Sequence, residues 1–172
     1  ISIMSMDEGL DTGPVYQSEE IQISDTTSSL DLYEQMAEKA KVSLNDVLIE
    51  LGKKEATPQE GEATYAKKLD KSDFEISPNE GLEVVSRKVR AGLLIKGAYV
   101  NSSIGKFRIL EVDKITKNEN DVKGLLINKQ GEILAKDGSL QIIRIQSENK
   151  PAMDFSSWVN GIDKTKFDIE VV

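Results

Sequence analysis

The chain has 172 residues, 30% of them charged and 38% hydrophobic, with a formal net charge of −8. That size and balance fit one medium or two small globular domains. It holds no cysteine and no histidine, which excludes disulfides, thiolate metal sites and cysteine nucleophiles, removes the commonest general base, and argues against a complete hydrolase or transferase site within these residues.

In chain order, residues 1–6 and 15–23 read as strands, with Ile21 and Ile23 alternating with polar neighbours as one buried face requires. Between them DEGLDTGP is a turn-rich loop in which Gly9 and Gly13 can take positive φ. A helix is expected over 29–51, with Ser28 as N-cap, Asp31 in the first turn, and an apolar stripe of Met36, Ala40, Val47 and Leu51 flanked by Leu44 and Leu48. Gly52 follows as a left-handed cap. Residues 53–76 are polar, hold Pro58 and Gly61, and read as a linker. Ser77, Pro78 and Glu80 form a capping-box pattern ahead of a helix with Leu82, Val85 and Val89 on its apolar side, stopping near Gly92. From 97 onward the period changes to two. A hairpin is expected around Ile104 and Gly105, and three strands turn at 128–131 and 137–138, so a small, nearly closed barrel follows. A short helix at 154–160 ends at Gly161. No apolar run approaches the roughly 18 residues of a membrane helix, and the apolar start lacks a basic flank and a small-residue cleavage site, so neither a membrane span nor a signal peptide is expected.

The charge is uneven. Residues 1–76 hold 17 acidic and 7 basic side chains, whereas 77–172 hold 13 acidic and 15 basic. Within 81–110 the basic residues are Arg87, Lys88, Arg90, Lys96, Lys106 and Arg108, against Glu83 as the sole acid. A solvated basic face is one reading. The other is a docking surface for a polyanion, whose neutralised phosphates release counterions.

MDEGLDTG at 6–13, ATYAKKL at 63–69, a capped helix running into LLIKGAY at 93–99, DGSLQI at 137–142 and ENKPAMDF at 148–155 occur in one order. That series resembles methionyl-tRNA formyltransferases along the whole chain. The first motif belongs to the folate-dependent formyltransferase superfamily, and ATYA-x-K-L with the following barrel points to the methionyl-tRNA branch. The resemblance implies an α/β part at 1–52, the C-terminal remnant of a Rossmann-like formyltransferase domain. A linker at 53–76 and an OB-like, tRNA-binding C-terminal barrel at 77–172 follow it. It implies formyl transfer from 10-formyltetrahydrofolate to the amino group of methionyl-tRNA, with no metal, no membrane, a cytoplasmic location and a monomer when complete.

In that family an Asn, a His and an Asp surround the formyl group. Only the Asp maps here, as Asp11, so the isolated chain is expected to be inactive. Read from its neighbours alone, Asp11 is an Asx-turn residue beside Gly13; the resemblance makes it catalytic. Asp7, Glu8, Gly9 and Leu10 fall where the family's loop meets the folate. Arg87, Arg90, Lys106, Arg108 and Lys150 are the expected tRNA contacts. LLIKGA at 93–98 departs from the family's Asn-Pro-Trp-Pro-Gly-Ala, and NKPAM at 149–153 keeps only Lys150 and Met153 of a basic Gly-Lys-Lys-Arg-Met segment. Two other readings stand beside this one: a fragment of a sugar-nucleotide formyltransferase or formyltetrahydrofolate dehydrogenase, and a non-catalytic RNA-binding module. Aromatic residues are only 5% of the chain, which weighs against recognition by base stacking.

Overall fold

The computed structural model describes residues 1–95, 97–162 and 168–172. Lys96, counted in the basic stretch, lies outside them. The chain divides into two compact units, Ile1–Lys68 and Leu69–Val172.

In the first unit β1 (Ser2–Met4) pairs antiparallel with β2 (Val15–Ser18), Ser2 opposite Ser18 and Met4 opposite Val15. Both strands are shorter than expected. β1 supplies only three residues, the pairing ends where Glu19 and Ile1 exchange backbone hydrogen bonds, and Ile23 is 66% exposed instead of lying on a buried face. Val15 instead exchanges two backbone hydrogen bonds with Thr57. α1 (Ser29–Glu50) starts at a full capping box: the Ser28 hydroxyl accepts from the Asp31 amide, and the Asp31 carboxylate accepts from the Ser28 amide. It ends as Gly52 turns left-handed (φ 85°) and the Lys53 and Lys54 amides return to the Glu50 carbonyl. The buried helix positions are Ser43 and Val47, one turn apart, whereas Met36, Leu44, Leu48 and Leu51 of the expected stripe are exposed. Two short strands cover only a narrow line of a long helix.

The second unit begins ahead of the expected boundary at 77. A 3-10 turn over Lys71–Phe74 is closed by the Asp70 amide donating to the Asp73 carboxylate, and it buries Phe74. β3 (Glu75–Ile76) then pairs parallel with β4 (Ala98–Ser102). Residues 71–76 therefore belong to this unit and are not linker. α2 (Leu82–Gly92) starts at Gly81, not at the Ser77 capping box. Ile76 is still held extended against Val100, so residues 77–80 form a turn, and Glu80 is drawn to Lys88 instead of capping the helix. The apolar side of α2 is as expected, with Leu82, Val85 and Val89 buried.

β4 turns at Gly105 (φ 113°) into β5 (Gly105–Thr116), which pairs along much of its length with β8 (Gly138–Ser147) through a register broken by bulges. β6 (Leu126–Ile127) and β7 (Glu132–Ala135) extend the sheet on the other side of β8. β10 (Ile169–Glu170) follows β6. Beyond β10, Val171 bridges Ser102 at the end of β4, and the Val172 amide donates to the Asn101 carbonyl. The sheet thus curls until its last segment meets β4, which removes most of its free edge. β9 (Met153–Asp154) adds to β8 and leads into α3 (Phe155–Val159). The interior is one apolar cluster that includes Ile76, Val85, Val89, Val100, Ile109 and Ile145. Trp158 closes it, its ring centre 5.3 Å from those of Phe107 and Phe155 and its indole N–H donating to the Ser147 hydroxyl. No helix of the described residues is long and apolar enough to cross a membrane.

Candidate functional site

The DEGLDTG loop is shaped by its own small residues. A Cβ on Gly13 would lie 1.8 Å from the Ser5 carbonyl oxygen, so only glycine allows β2 to start directly beneath β1. The Ser5 amide donates to the Pro14 carbonyl and fastens the loop's base. Asp7 forms the turn: its Oδ1 accepts from the Gly9 amide at 3.0 Å and from the Thr12 hydroxyl at 2.6 Å. A Cβ on Gly9 would meet that hydroxyl at 2.2 Å.

Asp11 is exposed and left-handed, with φ 57°. A short polar side chain tolerates that conformation. Its carbonyl accepts from the Gln59 amide group at 2.9 Å, and the Gly13 carbonyl accepts from the same group at 2.8 Å. The Asx-turn role read for Asp11 from its neighbours therefore belongs to Asp7. The Asp11 carboxylate makes no hydrogen bond among the described residues. Glu8 and Leu10 are exposed, Leu10 almost wholly at 94%. Of the four residues expected to meet the folate, Asp7 has its carboxylate committed inside the loop, and the other three form its outer rim. Gln59 was not legible in the sequence. It sits in a polar stretch, and only the Val15–Thr57 pairing brings it to the loop.

The expected tRNA contacts divide into two groups. Period-two alternation on β4 and β5 sends Val100, Phe107 and Ile109 inward and Tyr99, Asn101, Lys106 and Arg108 outward, with Tyr99 opposite Arg108 and Asn101 opposite Lys106. Arg108 lies opposite Gln146 on β8, and the Gln146 amide group donates to the Lys150 carbonyl. Lys106, Arg108 and Lys150 are thus gathered at one end of the β5–β8 pair. On α2, Arg87 is exposed and Arg90 is half-buried. It is Lys88 that reaches the segment before the helix. Its ammonium donates to the Glu80 carboxylate and to the Glu75 carbonyl, and the other Glu80 oxygen is buried without a hydrogen bond among the described residues.

Lys71 joins the outer face unforeseen. Its ammonium sits 5.7 Å from the Tyr99 ring centre, and that of Lys106 sits 4.1 Å away, both within cation–π range. The Tyr99 hydroxyl donates to one Glu75 carboxylate oxygen at 2.8 Å, and the Asn101 amide group donates to the other. That hydrogen bond, then burial and the Glu75 charge, raise the phenol above its ordinary pKa.

Fold and site together define a class: a curled mixed sheet with a basic outer face, following a unit that presents a carboxylate on a tight loop. The chain belongs to the formyl transferase family, whose C-terminal domain model matches residues 68–163. It is 30% identical over 177 residues to a methionyl-tRNA formyltransferase of Francisella philomiragia, covering 97% of this chain and 54% of that protein. It is 33% identical over 173 residues to one of Thermodesulfovibrio yellowstonii, covering 94% and 53%. The chain thus spans about half the length of the curated relatives it matches. HypX from Aquifex aeolicus in complex with tetrahydrofolic acid shares the fold, with a TM-score of 0.68 at 18% identity over 93% of this chain and 29% of that one.

Proposed function

We propose that this chain is the C-terminal part of a folate-dependent methionyl-tRNA formyltransferase. The first unit is read as the end of a Rossmann-like catalytic domain and the second as an OB-like barrel that contacts tRNA. The whole protein would act as a monomer in the cytoplasm, on 10-formyltetrahydrofolate and charged initiator tRNA. Relatives named methionyl-tRNA formyltransferase match along nearly the full chain, through both units, and a formyltransferase-like fold elsewhere binds tetrahydrofolate. The observation that carries the catalytic assignment is the division of labour in the loop. Asp7 closes the turn, so the Asp11 carboxylate is left to face a reacting group.

In the reaction, the methionyl amine attacks the formyl carbon. An oxyanion develops on its oxygen, and the bond to the folate N10 breaks as the amine proton moves to that nitrogen. The Asp11 carboxylate orients the proton carrier, which the family resemblance identifies as a His outside this chain. The chain itself holds no histidine, so the purified 172-residue protein is expected to show no formyl transfer; measurable activity would remove the proposal. In a full-length formyltransferase carrying this loop, Asp11→Asn should lower kcat by about 100-fold or more with little change in melting temperature. An unchanged kcat would confine Asp11 to shaping the loop.

A further inference from the structure

We infer that Glu75 is a positioning residue for RNA, holding Tyr99 as a shelf on which Lys71 and Lys106 are set for backbone phosphates. The inference rests on reading the second unit as a tRNA-contacting barrel. Glu75 stands opposite Tyr99 where β3 runs parallel to β4, and Ile76 and Val100 beside them point inward and are buried. The alternation therefore puts the Glu75 carboxylate on the same outer face as Tyr99, Asn101, Lys106 and Arg108. Its two oxygens accept from Tyr99 and Asn101, which are neutral donors, and its backbone carbonyl accepts from Lys88. The phenol is thereby pinned at its far end. Tyr99 is only 6% exposed, although it lies on the outer face, and both lysine ammoniums stand within cation–π reach of its ring.

A lysine that floats free loses rotamer freedom when it meets a phosphate; one already resting on a fixed ring loses less. Charge counting alone predicts the opposite role for Glu75. A carboxylate among cations repels a polyanion, so removing it should tighten binding. Positioning and charge thus predict opposite signs for one substitution.

The test measures equilibrium binding of the whole 172-residue chain to a deacylated tRNA transcript by fluorescence anisotropy, across a salt series. Glu75→Ala is expected to bind about fivefold more weakly, because Tyr99 loses its anchor. Glu75→Gln, which keeps hydrogen-bonding capacity without the charge, should restore binding to at least the unmodified level. Replacing Lys71 and Lys106 together by Ala should flatten the log K against log salt slope by about one to two. Binding of Glu75→Ala as tight as that of the unmodified chain, or failure of Glu75→Gln to rescue, overturns the inference alone. Absence of any salt-dependent binding by the unmodified chain overturns both it and the tRNA reading. If Glu75→Ala does not fold, Tyr99→Phe decides: it keeps the ring and loses the anchor, and it should weaken binding without changing the slope. Unaltered affinity of Tyr99→Phe overturns the inference.

Discussion

Asp7 and Asp11 lie four positions apart in one loop and differ in what their carboxylates hold. Asp7→Ala removes the acceptor of two hydrogen bonds; about 1 kcal/mol of local order should go with it, seen as faster hydrogen exchange at the Gly9 amide. Asp11→Gly should do the reverse. It relieves a left-handed φ, so the melting temperature should hold or rise slightly, while formyl transfer in a full-length enzyme is lost. Tyr99 gives a pH signature. Its phenol, raised by the Glu75 hydrogen bond, holds its proton more tightly in the folded chain than in the unfolded one. The stabilisation is therefore whole below the ordinary tyrosine value of about 10 and fades as pH climbs through the raised folded value. An ultraviolet alkaline titration should show a late-ionising tyrosine that disappears in Tyr99→Phe.

At the scale of elements, α2 ends where backbones touch. A Cβ on Gly92 would stand 2.9 Å from the Gly97 carbonyl carbon and 3.0 Å from the Phe74 ring. Gly92→Ala should therefore cost about 1–3 kcal/mol, despite alanine's better helix propensity, and denaturant unfolding would measure it. Lys88 links this helix to β3. Lys88→Ala removes the ammonium that pairs with the mostly buried Glu80 carboxylate, at a cost of about 2 kcal/mol, and Glu80→Gln should restore part of that loss in the double variant. Ile145, fully buried on β8 between β5 and β9, should cost about 2–5 kcal/mol when cut to Ala.

For the whole molecule, burial is concentrated in the second unit. The apolar cluster lies entirely within Leu69–Val172, whereas Gly13, Ser43 and Val47 are the buried residues of Ile1–Lys68. Thermal unfolding should therefore not be two-state. Amides of α1 should exchange early and those of β5 and β8 last, as hydrogen exchange can show. Residues 61–68 are exposed and carry no helix or strand, so brief trypsin treatment should cut there and release a resistant fragment beginning near Leu69. Equal protection of the two units would contradict this distribution of burial.

The sequence by itself determined the order of the helices α1 and α2, the β4–β5 hairpin and the strands after it, with their local signals. The Ser28 N-cap with Asp31 in the first turn, the Leu82–Val85–Val89 stripe, the Gly105 turn and the period-two strands all depend on residues within a few positions of one another, and all appear in the fold. The motif series from MDEGLDTG to ENKPAMDF likewise carried the family resemblance. Only the tertiary structure decided what long-range pairing controls. The parallel pairing of Glu75 and Ile76 with Tyr99 and Val100 moved the start of α2 from Ser77 to Gly81 and took 71–76 out of the expected linker. The shortness of β1 left Ile23 and most of the expected α1 stripe exposed. Gln59 reaches the loop through a strand pairing 42 positions distant in sequence, between Val15 and Thr57, and Lys71 reaches Tyr99 across the sheet. Local propensities act over one or two turns of chain, whereas which backbone edge is free to accept a partner is settled only when the sheet closes.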